Sequence, residues 1–194
     1  MSCDEPKTTS VTADGEPDGF VAPLAWYTEL ATSGATRLVV STPPGALRAV
    51  HIALLGVLKA PLKVLYRQSV DRLDPQPQGA PPRDFVGLDL NAARVQNAID
   101  AASSLIWHDG RHQLWVAGRL GAQVVLDEDG VLYCYPDDPA FRDTLIAAGV
   151  PHVHSARTMA EVDYPKRWYR AENDAVEKKF IGGLRLAEVA HRKS

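Results

Sequence analysis

The chain has 194 residues, 45% of them hydrophobic and 23% charged, with a formal net charge of -3. That length supports one hydrophobic core, the composition excludes a disordered or fibrous chain, and the slight acidity argues against nucleic acid as the main partner, because duplex-binding surfaces carry a basic excess. No charged-then-apolar leader opens the sequence, and no apolar run approaches the roughly 20 residues of a membrane span, so a cytoplasmic protein without a membrane partner is expected.

Residues 1–19 are dominated by Asp, Glu, Thr, Pro and Gly with little to bury, which predicts a disordered tail before a single α+β domain over 20–194. Phe20 to Ala31 has enough apolar residues to pack as a short helix or extended arm, ended by Thr32-Ser33-Gly34. Arg37 to Val40 predicts a strand, Ser41-Thr42-Pro43-Pro44-Gly45 a capped turn, and Leu47 to Leu58 a buried helix stopped by Lys59-Ala60-Pro61. Leu62 to Val70, with Leu62, Val64 and Tyr66 alternating against Lys63, Leu65 and Arg67, then predicts a second strand, lying parallel to the first through a βαβ crossover. Asp74 to Asp84, rich in proline, predicts a loop. Leu88 to Ser104 carries apolar residues at helical spacing, with Asp89 as the candidate cap.

Leu105 to Val150 has the most concordant turn signals and predicts an antiparallel meander of three or four strands followed by a helix. Asp109-Gly110 and Asp129-Gly130 each have the sequence of a two-residue type I′ turn, and Gly118 and Gly121 bracket a third turn. Asp138 and Pro139 predict a helix start, and Gly149 with Pro151 its end. His152 to Val162 predicts an edge strand and a turn. Ala171 onward predicts closing helices interrupted at Gly182-Gly183.

Candidate chemistry is sparse. Ser41 to Gly45 sits where phosphate loops sit, but two prolines remove two N–H donors and no G-K-[ST] follows. Among six histidines, His108, His112, His152 and His154 are close enough in sequence to consider for zinc. A two-residue turn at Asp109-Gly110 puts His108 and His112 on opposite sheet faces; a three-residue loop puts them on the same one. Asp127, Glu128 and Asp129 lie a strand's length from Asp137 and Asp138, and turn and cap chemistry accounts for both groups. Cys134 falls within a strand, the setting of a small buried hydrophobe, and Cys3 falls in the tail. Lys166 to Arg170 is a basic, aromatic run, more consistent with a connector carrying a core Trp168 than with a nucleic-acid grip.

Pairing the meander outward from its turns puts Leu105, Trp107, Leu114, Val116, Val125, Leu132 and Cys134 on one face. Ile106, Trp115, Val124, Leu126, Tyr133 and Tyr135 fall on the other, beside Arg111 and Gln113. Both faces are apolar, so the second is covered either by the chain itself or by another molecule. The expectation is a non-catalytic protein-binding or regulatory module without metal or cofactor, using Trp115, Tyr133, Tyr135, Arg111 and Gln113 to contact a protein partner or a second copy. The alternative is a small metal-dependent or hydrolytic enzyme using the histidines near the first hairpin.

Overall fold

The chain builds β1 (Thr8–Ser10), β2 (Ala25–Leu30), β3 (Thr36–Ser41), α1 (Pro44–Leu55), β4 (Leu62–Gln68), β5 (Arg83–Leu90), α2 (Ala92–Ala101) and α3 (Ser103–His108). It continues through β6 (His112–Ala117), β7 (Gln123–Leu126), β8 (Leu132–Tyr135), α4 (Pro139–Ala147), a 3-10 turn (Met159–Glu161), β9 (Pro165–Arg167), α5 (Asn173–Leu184) and β10 (Ala187–Val189). This is a computed structural model, which describes residues 6–30, 36–75, 77 and 81–190. Cys3 and the predicted stop at Thr32-Ser33-Gly34 lie outside the described residues.

The class is α+β, with both the strand-helix-strand start and the meander present. An eight-stranded sheet runs in the order β10-β5-β4-β6-β7-β8-β3-β2 with every neighbouring pair antiparallel. The β3-α1-β4 unit is a crossover between strands of like direction, but its strands are not neighbours. The meander β6-β7-β8 is inserted between them, so β3 pairs with β8 and β4 with β6.

Four predicted features are corrected. Leu105 to Trp107 is helical in α3, and Asp109-Gly110 is no hairpin turn. Asp109 is extended, and its carboxylate accepts from the Arg111 N–H at 3.1 Å. Gly110 is needed for space: a Cβ there would stand 2.9 Å from the Arg167 Cβ and 3.2 Å from the carbonyl oxygens of Lys7 and Glu128. Asp89, next to last in β5, has φ 53° and is not the cap; Asn91 caps α2, accepting from the Ala93 N–H at 2.8 Å. Gly182 and Gly183 stay within α5, which ends at a left-handed Arg185.

The helices pack on one sheet face, where Leu38, Val64, Leu114, Val124, Leu126 and Cys134 meet Leu54, Ile99, Leu105, Phe141 and Phe180 in one buried cluster. On the other face one register row crosses the sheet through Val86, Leu65, Trp115, Val125, Tyr133, Val39 and Tyr27. Phe20, Ala156, Met159 and Val162 cover its Tyr27–Tyr133 end.

Residues 6–19, expected to belong to a disordered tail, form a strap. Strand β1 pairs with β9, and Lys7, Thr8 and Ser10 are buried. Hydrogen bonds supply the order that apolar burial does not. The Thr8 hydroxyl lies 3.1 Å from the Glu128 carbonyl oxygen and 3.2 Å from Asp129 Oδ1, and the Trp168 N–H donates to the Lys7 carbonyl at 2.9 Å.

Candidate ligand-binding site

Four of the five predicted partner-binding residues share the second face. Trp115, Tyr133, Tyr135 and Gln113 are all half-buried there. Trp115 Nε1 donates to Gln113 Oε1 at 3.1 Å, and Gln113 Nε2 to Glu128 at 2.7 Å. The Tyr133 hydroxyl donates to Asp127 at 3.0 Å, and Arg37 donates to the Tyr135 hydroxyl at 2.8 Å while lying over the Tyr133 ring. Arg111 is a correction, since it is wholly buried among Asp109, Asp174 and Glu177.

The register is corrected by one residue. Asp127 Oδ1 accepts from the N–H groups of Asp129 and Val131, and Gly130 takes φ 82°. The loop is therefore the three residues Glu128-Asp129-Gly130 rather than two, and Asp127 faces Val131. A one-residue slip exchanges the faces of a strand. Val125 thus joins Trp115 and Tyr133, while Val124 and Leu126 turn into the core.

Beneath the strap lies a cavity of about 240 Å3. It is lined by the end of β3 and the start of α1 with Ser41, Thr42, Pro44 and Leu47, by Trp107 of α3 and Val131, and by Phe20 and Met159. The cap position of α1 is Pro43, whose side chain has no acceptor, so the helix starts without a side-chain cap. The wall is mostly apolar, yet it also includes Lys7, Ser41 and Thr42, all nearly solvent-free. Lys7 Nζ, Ser41 Oγ and Thr42 Oγ1 have no hydrogen-bond partner among the described residues. Buried polar groups are nearly always paired, so three orphans on the wall of one cavity mark it out.

The carboxylates around Lys7 are engaged elsewhere. Asp109 is held by Arg111, Asp129 by Arg167 and Glu128 by Gln113, while Asp127 accepts two backbone N–H groups and the Tyr133 hydroxyl. Burial outweighs their attraction and lowers the Lys7 ammonium to about 8. Burial, reinforced by the charge of Asp129, raises Asp127 to about 7. His51 is pushed down to about 3 by burial and then by Lys7; it accepts from Trp107 Nε1 at 3.1 Å, leaving its Nε2 unpartnered among the described residues. His112 is held well below its ordinary value by burial and then by the charge of Lys7.

The structure does not gather the four histidines. His112 is buried in β6, stacked on Tyr66 at 4.9 Å, whereas His152 stacks on Trp26 beside the edge strand β2, with His154 4.2 Å from it. The His108 carbonyl accepts from Arg170. Among the described residues no group of three His, Cys, Asp or Glu side chains is placed to hold a metal ion, and no helix is long and apolar enough to cross a membrane. Cys134 is buried, and burial raises its thiol well above the ordinary range. Trp168, predicted as a core residue, is 40% exposed, with Lys166 over its ring.

Lys7 went unrecognised as a site residue because it lies in a polar segment, and nothing local in the sequence signals its burial. No protein-family model matches the chain, and no curated protein or solved structure matches it either.

Proposed function

We propose that the protein binds a small, mainly apolar molecule with one polar end in the cavity beneath the strap, acting as a non-catalytic regulatory module. The observation that carries this reading is the coincidence of Lys7, Ser41 and Thr42, each with an unpartnered buried polar atom, on the wall of a single mostly apolar cavity. Sites for small molecules have this character: an apolar lining with a few polar groups that fix orientation. The volume suits a ligand at the small end of the range, of fragment size. A set of aromatic fragments screened by thermal shift should contain members that raise Tm of the native chain and lose that effect in Ala22→Trp, which fills the cavity. Equal shifts in both proteins would place binding elsewhere.

A second reading rests on the sheet face. Leu65, Val86 and Trp115 are half-buried at the end of the register row away from the strap cluster. A protein partner or a second copy docking there would cover them. Trp115→Ala should then abolish association detected by sedimentation without lowering Tm. Association unaffected by that change would remove this reading.

A further inference from the structure

The polar end of the ligand follows from the charge around the cavity, if the cavity is the binding site proposed above. Asp109, Asp127, Glu128 and Asp129 all act electrostatically on Lys7. Arg111 and Arg167 pair with Asp109 and Asp129 respectively. Of these charged groups only Lys7 and Asp129 line the cavity, one of each sign, so neither an anionic nor a cationic end gains a net attraction. A neutral polar end remains.

Lys7 narrows the choice. Its side chain lines the cavity, and its amine has neither hydrogen-bond acceptor nor solvent contact among the described residues. A buried ammonium without a hydrogen-bond partner is costly, so Lys7 gives up its proton more readily than an exposed lysine, and the neutral amine so formed is a nucleophile. Burial lowers Lys7 to about 8, so about half of it is neutral at pH 8. The hydroxyls of Ser41 and Thr42 on the same wall are donors without acceptors. A carbonyl group answers both needs, since its carbon takes an amine lone pair and its oxygen accepts from hydroxyls.

The geometry points to Lys7 as a residue that captures an aldehyde or ketone ligand in the cavity as a reversible imine. The amine lone pair forms a C–N bond to the carbonyl carbon, and the C=O π pair moves onto oxygen. One N–H proton passes to that oxygen, giving a carbinolamine. Loss of the second N–H proton with the hydroxyl releases water and leaves C=N, so no oxidant or reductant is consumed. Hydrolysis reverses the capture.

The test uses the full-length protein with benzaldehyde at pH 8, sodium cyanoborohydride to reduce any imine to a stable benzylamine, and peptide mass spectrometry to assign the lysine. Lys7 should be modified roughly tenfold to a hundredfold faster than the other lysines, because at that pH a group of ordinary pKa is almost wholly protonated. The preference should vanish in urea. Benzyl alcohol, which cannot form an imine, reports cavity binding separately through chemical shifts of Met159 and Trp107, and Lys7→Met should lose the adduct. Benzyl alcohol in the cavity without preferential benzylation of Lys7 overturns the imine and leaves the ligand site standing. Neither binding nor modification overturns both.

Discussion

Arg111 and Asp109 grip each other through paired hydrogen bonds, Nε to Oδ1 and Nη2 to Oδ2, both 2.9 Å long and almost wholly out of solvent. The same guanidinium reaches Asp174 at 2.6 Å and the Arg170 carbonyl at 2.6 Å, so the link between α3 and β6 is tied to α5 and to the segment before it. Removing Asp109 takes the two-bond partner from a buried guanidinium and leaves it only Asp174 and Glu177. Asp109→Ala is expected to cost about 3–5 kcal/mol, measured from the urea midpoint. A loss below about 1 kcal/mol would mean the pair is solvated.

The two Asp-Gly steps should fail for different reasons. Gly130 has φ 82°, which a β-branched residue adopts only with strain, so Gly130→Val should cost more than about 1 kcal/mol. At Gly110 the obstacle is the Arg167 Cβ and two backbone oxygens, and Gly110→Ala should cost about 1–3 kcal/mol by overpacking. An unchanged denaturation midpoint in either variant contradicts the corresponding geometry.

Lys7 should destabilise the fold it sits in. Its pKa is about 8 in the folded protein against an ordinary 10.5. The unfolded chain therefore keeps a proton between these values that the folded chain has released. The penalty is full below pH 8 and disappears as pH rises to 10.5, so native stability receives a rising contribution across that window. Lys7→Met should remove this contribution and raise stability at pH 7 by roughly 1–3 kcal/mol, seen in urea melts at each pH. A destabilised Lys7→Met would show that the amine is paired in solution.

On the acid side, His51 and His112 are kept neutral in the fold, while the unfolded chain protonates below about 6.5. Stability from both is lost as pH falls below that value. Asp127, raised from 3.8 to about 7, opposes the loss, because the fold binds its proton between those values more readily than the unfolded chain does. His112 has no hydrogen-bond partner at either ring nitrogen among the described residues and stacks on Tyr66, so His112→Phe should keep the packing and shift the acid unfolding midpoint to lower pH. An unshifted midpoint would mean His112 is charged in the fold.

Much of the architecture was legible where local chemistry is self-sufficient. At α4 the Asp138 cap, Pro139 and a Gly149 with φ 74° agree with their sequence signals. The position of the Asp129-Gly130 turn was legible too, but not its length, because the deciding acceptor is the Asp127 side chain, which closes on two N–H groups at once. The candidate site was the least legible part. Gly110 looked like a turn residue because close approach and positive φ favour the same amino acid. Lys7 looked like tail because the groups that order it come from Glu128, Asp129 and Trp168, more than a hundred positions away.

The strap's role follows from those distant bonds. Deleting residues 1–10 removes β1 and Lys7 together, and with them the ladder to β9. The shortened chain should melt at a lower temperature and lose the fragment-induced rise in Tm. A tail dispensable for folding, as the polar composition predicts, would leave both unchanged.

The most direct test of the ligand site is an indole N–H NMR titration with the fragments that raise Tm, because two tryptophans report on the two candidate surfaces. Trp107 lines the cavity and donates to His51; Trp115 lies on the sheet face and donates to Gln113. A ligand bound beneath the strap should shift the Trp107 signal in a saturable way and leave Trp115 in place. Shifts confined to Trp115, or no saturable shift of Trp107, would contradict a ligand site in the cavity.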